Sequence, residues 1–411
     1  MIGISKLDNP IQNYAWGSRH GIARFLGRPV PSKEPEAELW MGAHPKAPSQ
    51  VSIADGTLGL DLAIREAPQD ILGAEVAARY DNTLPFLFKV LAAGQALSIQ
   101  AHPDASQARA GCRREDEAGL ERSDARRNYR DAHHKPEVLY ALTPFWILRG
   151  FRTPSEILEL MEPLGLIEAL PGLASALRAG DLRRFFSDYL ALDSRDWLAA
   201  SAPALDRIAR ASLPDDVESW VLKLARQFPG DYGILAPLFL HLLKLKPEDA
   251  IFTGPGVLHA YLDGVGIELM ANSDNVVRGG LTPKHVDRDE LLSILRFKAD
   301  PPTLLSSRSV AGERIFEPVA DEFALSVIEV QASAPFRVEG RGEASAEGRR
   351  SRSAELLLCA AGSGQIRESR GIEHDFSQGD SFLVPASCSA YRIEGSARLF
   401  RATVPDGEAL G

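Results

Sequence analysis

Residues 84–103 read LPFLFKVLAAGQALSIQAHP, and this stretch decides the fold class. Ten residues that are almost all apolar precede a Gly-Gln pair, and a second short segment of alternating apolar and polar residues follows. Such composition is typical of buried strands bounded by turns. Comparable stretches occur at KPEVLYALTPFWIL (135–148), DAIFTGPGVLHAYL (249–262) and GIELM (266–270). The chain is therefore predicted to be mainly β.

The block that separates these strand-rich stretches has a helical pattern. The start signal TPSE (153–156) precedes apolar residues that recur at intervals of three and four. Helices are expected to continue to about Leu245, divided by Pro-Gly pairs at 171–172 and 229–230. Few groups with catalytic chemistry occur here, so we interpret the block as a helical insertion. A charged stretch at 108–130 is interpreted as a solvated helix or loop over the sheet.

Strand patterns return after Pro301, in FALSVIEVQ (323–331), AELLLCAAG (354–362) and YRIEG (391–395). A weak repeat links the two β-regions, because PEDAIFTGP (247–255) and QGDSFLVP (378–385) each contain a turn, a strand and a proline in that order. This order recurs in the double-sheet jelly rolls called cupins. His259 follows the first copy and Ser389 follows the second, so a metal site is expected only in the first.

The predicted fold is mainly β with a helical insertion: two cupin-like jelly-roll β-domains plus an α-helical domain. A length of 411 residues with 45% hydrophobic content is sufficient for two or three cores. We expect residues 1–150 to form the first part of a catalytic β-domain, 151–245 the helical insertion and 246–300 the second part. Residues 301–411 are expected to form a C-terminal cupin-like domain without metal ligands.

Charge and cysteine content restrict the function classes. With 46 Lys and Arg against 56 Asp and Glu, the formal charge of −10 disfavours nonspecific binding to nucleic acid or anionic lipid. A phosphorylated substrate would need a local basic pocket. The three cysteines are far apart and contain no CxxC pair, the first residues do not resemble a signal peptide, and no stretch approaches the roughly 20 apolar residues of a membrane span. We expect a cytoplasmic protein without nucleic-acid or membrane partners.

Two segments place polar side chains on predicted strands. In LSIQAHPD (97–104), Ser98, Gln100 and His102 alternate, so a strand would project all three from one face. In HHKPEVLYAL (133–142), Glu137 shares a face with apolar residues, where a carboxylate is uncommon unless it is paired or metal-bound. The alternative for the first segment is an outward polar face of a strand. The alternative for Glu137 is a structural salt bridge.

A third segment, TGPGVLHAYLDG (253–264), places His259 and Tyr261 on one strand face. A lone histidine of this kind is more often a satisfied core residue. Together with the other segments, however, it makes His102, Glu137 and His259 a set of good zinc donors, whereas the amide oxygen of Gln100 is a less usual one. Spacing alone does not establish that they converge.

Four cations stand in or beside these segments. Lys89 alternates with apolar residues in LPFLFKVL, where an ammonium group needs an anion. Arginine suits bidentate phosphate recognition, and lysine can bind phosphate or exchange a proton, so Lys135, Arg278 and Lys284 are candidates for a phosphate site. Ordinary solvated charge is the alternative for Arg278 and Lys284, and the glycines after Arg278 form no phosphate-binding motif.

Longer motifs at these positions resemble the class I mannose-6-phosphate isomerases, members of the cupin superfamily. They are NPIQNYAWGS (9–18), AELWMGAHPKAPS (37–49), LPFLFKVL (84–91) with LSIQAHPD (97–104), HKPE (134–137) and HAYLDGVGIELMANSDNVVRGGLTPK (259–284). The helical block and the C-terminal region contain no comparably sharp motif. The resemblance implies a zinc enzyme that interconverts mannose 6-phosphate and fructose 6-phosphate, with one Zn²⁺ per chain.

The resemblance also implies residue roles. It makes Gln100, His102, Glu137 and His259 the zinc ligands and Arg278 a catalytic residue. It places Glu38, Lys89, Ser98, Lys135, Tyr261, Glu268, Asp274 and Lys284 around the sugar-phosphate pocket. The sequence departs from the usual motif at Gly279, where alanine is common, and at His133, where asparagine is common. Neither change affects an implied ligand, but His133 leaves open which neighbouring group handles protons.

An aldose and a ketose phosphate interconvert by loss of a proton next to the carbonyl, an enediol intermediate, and return of the proton to the neighbouring carbon. His134, Lys135 and Glu268 are the candidate general bases, and the sequence does not choose among them. Two other functions are compatible with the residues: a noncatalytic sugar-phosphate-binding cupin, and an oxygenase that uses two histidines and a carboxylate to bind iron. Oligomeric state is left open, and a monomer is compatible with the sequence.

Overall fold

The computed structural model describes residues 3–53, 56–210, 213–339, 344–345, 348–349 and 353–405. Within these residues the strands form two large antiparallel sheets of 11 and 10 strands, and a short pair made of Ala344–Ser345 and Gly348–Arg349. A block of helices, at residues 154–239, separates the strand Phe145–Phe151 from the strand Leu240–Leu245. The predicted fold class, mainly β with a helical insertion, is confirmed.

The 10-stranded sheet contains all the candidate ligand segments. Its main path runs Leu240–Leu245, Phe145–Phe151, His259–Ala271, Phe86–Ala93, Glu38–Gly42 and Ile11–Gln12, and four further strands pair beside it, Ile99–Ala101, Glu137–Ala141, Ala250–Thr253 and Val277–Gly280. The long strand His259–Ala271 pairs with different neighbours along its two halves. An irregularity between Tyr261 and Asp263, followed by Gly264 with φ of 137°, bends it between those halves.

The 11-stranded sheet combines the two ends of the chain. Its path is Ser307–Val310, Glu313–Phe316, Ala324–Val330, Tyr391–Thr403, Glu355–Glu368, Ser381–Val384, Ser5–Asp8, Gln50–Ile53 and Gly56–Gly59, with Phe336–Val338 and Glu373–Ser377 paired beside it. The strand Ser5–Asp8 lies between Ser381–Val384 and Gln50–Ile53. N-terminal residues therefore extend the C-terminal sheet, which no sequence pattern indicated. No observation tests the expected domain boundaries, which therefore remain a prediction.

The helical insertion ends earlier than expected. Its helices are Pro154–Met161, Leu166–Ala169, Pro171–Arg178, Leu182–Ala191, Ser194–Ile208, Val217–Gln227 and Ala236–Phe239, with 3-10 turns at Glu162–Leu164, Pro214–Asp216 and Tyr232–Leu235. The expected continuation to Leu245 is wrong, because Leu240–Leu245 is a strand that pairs with Phe145–Phe151. The remaining helices are Gly21–Phe25, Leu60–Glu66, Pro68–Leu72, Ala74–Arg79, Ala105–Glu117 and Arg288–Ile294.

The repeat seen in the sequence recurs in the backbone. Asp249 and Asp380 each accept a hydrogen bond from the N–H group three residues earlier, at 2.7 and 3.0 Å. The residue before each aspartate has a positive φ, 80° at Glu248 and 92° at Gly379. The strands that follow, Ala250–Thr253 and Ser381–Val384, pair with Glu137–Ala141 and Glu355–Glu368, respectively. The two β-regions therefore share a turn and a strand pairing.

The same pairing assigns corresponding positions to two buried carboxylates. Glu137 lies opposite Thr253, and Glu355 lies opposite Val384, at the equivalent ends of the paired strands. Glu355 accepts a hydrogen bond from the Tyr391 hydroxyl at 2.5 Å and lies 3.8 Å from a guanidinium nitrogen of Arg401. In the C-terminal region the buried carboxylate is thus compensated by side chains of the protein itself.

The core joins the elements that surround the site. One hydrophobic cluster contains residues of both large sheets, including Phe88 and Phe400, and another joins the helical insertion to the strands Ile99–Ala101 and Val277–Gly280. The strands that contain the candidate ligands are thereby packed from two sides. Among the described residues, no helix has the length and apolar composition required to cross a membrane.

Candidate metal centre and adjoining pocket

Three predicted ligands converge in the 10-stranded sheet. Nitrogen atoms of His102 and His259 and a carboxylate oxygen of Glu137 all lie within 4.8 Å of one another. Each histidine Nε2 atom is 3.3 Å from a Glu137 oxygen. The three side chains are at most 1% exposed. Strand pairing brings them together, because His259 begins its strand and Glu137 begins another while His102 follows Ile99–Ala101.

Hydrogen bonds on the far side of each ring determine the tautomer. His102 donates from Nδ1 to the carbonyl oxygen of Asn275 at 2.8 Å, and His259 donates from Nδ1 to that of Val257 at 3.0 Å. Each Nε2 atom therefore presents a lone pair toward Glu137. Burial lowers the pKa of His102 to about 4, which keeps its ring neutral.

The converging atoms fit a metal cation. His102 Nε2, His259 Nε2 and Glu137 Oε2 are buried and have no hydrogen-bond partner. Buried polar atoms without partners are rare because their desolvation is uncompensated. Two imidazole nitrogens and one carboxylate are a donor set that suits zinc. The hydrogen bonds on Nδ1 are the outer contacts that metal-binding histidines usually make.

Gln100 is brought beside this cluster by strand register. Its Cα atom pairs with that of His259 on one side and that of Arg278 on the other. Gln100 is partly buried, and Ser98, just before the strand, is also partly buried. Gln100, the predicted fourth ligand, therefore lies between His259 and Arg278, the predicted catalytic arginine.

Lys135 and Tyr261 adjoin Glu137. The Lys135 ammonium group is 2.9 Å from Glu137 Oε1. Burial opposes ionisation of Glu137, but the Lys135 ammonium group outweighs that effect and holds the pKa of its carboxyl well below the ordinary value. Burial also raises the pKa of the Tyr261 hydroxyl, and the nearby carboxylates of Glu137 and Glu268 raise it further. Tyr261 therefore stays protonated beside two carboxylates.

A second charged group lies further along the same sheet. Lys89 is 5% exposed and donates to Glu268 at 2.9 Å and to Glu38 at 3.4 Å. Burial disfavours its charged form, but these carboxylates outweigh it and raise the pKa of Lys89. Trp40 donates from its indole nitrogen to Glu38 at 2.8 Å. The anion that the sequence required at Lys89 is therefore supplied, within the structure, by two carboxylates of the protein.

Arg278, Lys284 and Arg130 form a cluster of cations. Arg278 is partly buried, and burial together with Arg130 lowers its pKa. The pKa of Lys284 is lowered in the same way, by desolvation and by the positive charges of Arg278 and Arg130. In the described part of the chain, the charged groups that act on Arg278 and Lys284 are cations, and neither residue forms an ion pair with a carboxylate. Converging cations without carboxylate partners are suited to binding an anion.

Two predicted site residues are engaged elsewhere. His134 lies 2.7 Å from Glu322, a residue of the C-terminal region, and this hydrogen bond raises the pKa of the imidazole. Asp274 lies 2.7 Å from Lys46 and 3.5 Å from His44; partial burial raises the pKa of Asp274, but hydrogen bonds from these two side chains outweigh it and lower that pKa. The side chains of both residues are therefore already paired with other residues of the protein.

Several residues at the site were missed by the sequence argument. Asn275 is fully buried, accepts from the N–H group of Arg130 at 2.7 Å and donates to the carbonyl oxygen of His133 at 2.8 Å. The backbone carbonyl oxygen of Asn275 accepts from His102, so Asn275 joins the candidate metal ligands to residues 130–133. Asn275 lies inside the motif at 259–284 and was detectable there, whereas Arg130 and Glu322 carry no local signal.

Two family models match this chain. "Phosphomannose isomerase type I, catalytic domain" matches residues 4–154, and "Mannose-6-phosphate isomerase, cupin domain" matches residues 314–404. The mannose-6-phosphate isomerase of Escherichia coli is 37% identical over 407 residues, which cover 97% of this chain and 99% of that protein. The chain belongs to the type I phosphomannose isomerases. The family resemblance predicted from the motifs is confirmed.

Other mannose-6-phosphate isomerases, also called phosphomannose isomerases, match over long stretches. The human mannose-6-phosphate isomerase is 34% identical over 356 residues, covering 79% of this chain and 81% of that protein. A solved mutant of the Salmonella typhimurium phosphomannose isomerase superposes with a TM-score of 0.90 at 34% identity, over 98% of this chain and 100% of that chain. A zinc-bound mannose 6-phosphate isomerase superposes with a TM-score of 0.88 at 34% identity and the same coverage.

Proposed function

We propose that this type I phosphomannose isomerase interconverts mannose 6-phosphate and fructose 6-phosphate by zinc-assisted proton transfer through an enediol. The observation that carries the proposal is the convergence of three buried, partnerless donor atoms on His102, Glu137 and His259. A zinc-bound relative with 34% identity over 98% of the chain supports the choice of metal and of reaction.

His102, Glu137 and His259 would hold one zinc ion, with Gln100 as the fourth donor. When bound, zinc supplies a Lewis acid that polarises the oxygens of the substrate. The neutral state of His102 and the ionised state of Glu137 are the forms that bind a metal, and both follow from the surroundings described above.

The cations Arg278, Lys284 and Arg130 are proposed to hold the phosphate group. A chain with a formal charge of −10 needs a local basic cluster to attract such a substrate, and the strand that contains Arg278 pairs with the strand Ile99–Ala101, which directly precedes His102. Arg278 is nearest to the metal donors by register, because its Cα atom pairs with that of Gln100. Its guanidinium group can therefore also stabilise charge that develops in the reaction.

Three groups are proposed as candidates for the proton transfer. Lys135 is tied to Glu137, and Glu268 to Lys89. Burial raises the pKa of Glu268, which brings a carboxylate closer to the range useful for a general base. His134 donates to Glu322 at the edge of the site. Ser98, Glu38, Tyr261 and Asp274 are proposed to contact the sugar.

The proposed compartment is the cytoplasm, and the proposed partner is the sugar phosphate itself. Cys112 and Cys359 are free and buried, which suits a reducing compartment. We also propose the division into 1–150 with 246–300, 151–245 and 301–411, with the strand Leu240–Leu245 transferred to the catalytic sheet. Cell fractionation with antibodies against the chain tests the first of these statements.

A coupled assay tests the function directly. Purified protein should convert mannose 6-phosphate to fructose 6-phosphate, should lose activity after prolonged chelation, and should regain it with zinc. Phosphate-ester binding without turnover would favour a sugar-phosphate-binding protein. Iron content with oxygen consumption would favour an oxygenase. Full activity in protein shown to be free of metal would refute the proposed site.

A further inference from the structure

A residue of the helical insertion holds the turn that connects Arg278 to Lys284. Asp231 lies just before the 3-10 turn Tyr232–Leu235. Its Oδ1 atom accepts from the N–H groups of Gly233 at 2.6 Å and Leu281 at 2.7 Å. Its Oδ2 atom accepts from the N–H group of Thr282 at 3.2 Å. One carboxylate therefore joins the insertion to the turn.

The backbone of this turn has a conformation that needs support from outside. Gly280 has φ of 142°, and Leu281 has φ of 52°. A leucine rarely adopts a positive φ because its Cβ atom then crowds the carbonyl oxygen. Such conformations persist where the surroundings over-determine them, often at functional sites. Here Leu281 is 2% exposed in the core shared with the helical insertion, and Asp231 holds its N–H group.

Glycines allow the two segments to approach closely. A Cβ atom on Gly280 would lie 3.1 Å from the Cα atom of Gly233, and one on Gly233 would lie 2.8 Å from the Leu281 side chain. The strand that contains Arg278 is also irregular, because its register shifts between Arg278 and Gly280. A bulge of this kind redirects a side chain from the regular pleat. The bulge beside Arg278 is therefore continuous with the turn that Asp231 holds.

We propose that Asp231 is a positioning residue for the anion-binding pair Arg278 and Lys284, so that the helical insertion takes part in recognising the phosphate group of the substrate. The inference rests on the proposed function of that pair. Arg278 precedes the turn and Lys284 follows it, so the turn determines the distance between the two cations. Binding of an anion by two groups weakens when either is displaced from its required position.

The test compares two aspartates of the same insertion. Asp231→Asn keeps the shape of the side chain but places an amide NH₂ group opposite a backbone N–H donor. Asp193→Asn is the matched control, because Asp193 accepts from the N–H groups of Arg195 and Asp196 at the start of its own helix, Ser194–Ile208, rather than from N–H groups of the turn. The readouts are zinc content and the dissociation constant of inorganic phosphate, measured by calorimetry on zinc-loaded protein.

Asp231→Asn should weaken phosphate binding about tenfold and raise KM for mannose 6-phosphate, because a hydrogen bond to a charged group is lost at the turn. Zinc content should stay at the wild-type level, and Asp193→Asn should leave phosphate binding unchanged. If Asp231→Asn does not fold, Asp231→Glu, which keeps the charge and displaces the carboxylate, provides the same comparison.

Unchanged phosphate affinity in folded Asp231→Asn, or equal weakening in Asp193→Asn, would overturn the inference. The proposed function fails separately, through absence of mannose 6-phosphate turnover in the wild-type enzyme. The phosphate comparison does not depend on turnover and still decides the role of Asp231 in that case. Wild-type protein that turns over mannose 6-phosphate but binds no phosphate would overturn the role of Arg278 and Lys284 as the anion site, and with it the role of Asp231, while leaving the proposed function intact.

Discussion

The metal site makes its sharpest prediction at Glu137. The Glu137→Gln substitution preserves the shape of the side chain and removes its charge. The wild-type carboxylate is 1% exposed and lies 3.3 Å from His102, 3.3 Å from His259 and 2.9 Å from Lys135. The amide oxygen that replaces it is a weaker zinc donor. The change therefore isolates the contribution of the ligand charge.

The expected magnitude follows from the position of the carboxylate. Mutation of groups that only orient metal ligands lowers metal affinity about 10- to 100-fold. Removal of a ligand charge among two buried histidines should therefore weaken zinc binding by about 100-fold or more, which is about 2.7 kcal/mol. Zinc that binds only the folded state stabilises it by mass action, so the zinc-dependent part of the unfolding free energy should fall by about the same amount at a fixed excess of zinc.

Glu355→Gln provides a control at the corresponding position of the C-terminal sheet. Glu355 is 6% exposed, and it accepts from Tyr391 and faces Arg401. Its substitution removes the charge that accepts from Tyr391 and one of the two carboxylates beside Arg401, the other being Glu313, and the loss of such a charged hydrogen bond typically costs about 1.5–3 kcal/mol. The loss should be the same with and without zinc, because the metal donors lie in the other sheet. Zinc affinity should be unchanged.

The assay combines zinc competition against a chromophoric chelator with chemical denaturation in the presence and absence of zinc. Glu137→Gln should lower zinc affinity and reduce the difference between the two denaturation curves, whereas Glu355→Gln should shift both curves equally. Wild-type zinc affinity in Glu137→Gln would refute the assignment of this ligand. Equal loss of zinc affinity in Glu355→Gln would show that the effect is a general loss of stability.

Three further predictions concern the residues around the metal donors. Glu322 raises the pKa of His134 above its usual 6.5. Their interaction should therefore stabilise the protein by about 1 kcal/mol below about pH 6.5, and this stabilisation should be lost as pH rises through the raised pKa. Glu322→Gln should abolish this pH dependence in denaturation curves recorded across that range, and an unaltered dependence would contradict the pairing. Arg278→Ala and Arg278→Lys should each lower kcat/KM about 100-fold or more at unchanged zinc content, because neither supplies a guanidinium fork; near-normal turnover in both would make Arg278 an ordinary surface charge. Isomerisation in heavy water should place deuterium on carbon, and substrate deuterated at C2 should show a primary isotope effect with partial loss of label, whereas complete retention of label would favour a hydride shift over an enediol.

The local parts of the fold were predictable. Buried strands such as Phe86–Ala93 and Glu137–Ala141 have apolar runs that report their own burial, and the helix start at Thr153 has both hydrogen bonds of a capping box. The end of the helical insertion was predicted wrongly because the leucines of Leu240–Leu245 (LHLLKL) are compatible with either a helix or a strand. Its pairing with Phe145–Phe151, almost a hundred residues earlier in the chain, decides that it is a strand.

The sequence by itself determined the fold class, the family and the residue types from which a zinc site is made. Only the tertiary structure decided which of those residues meet, because the meeting of His102, Glu137 and His259 depends on the register between strands that are far apart in the chain. The same is true of the partners that sequence patterns could not indicate, Glu322 for His134 and Asp231 for the turn after Arg278. Periodicity along a chain reports which face of an element is buried, whereas the identity of a contact across 188 residues, as between His134 and Glu322, is determined by packing of the whole fold.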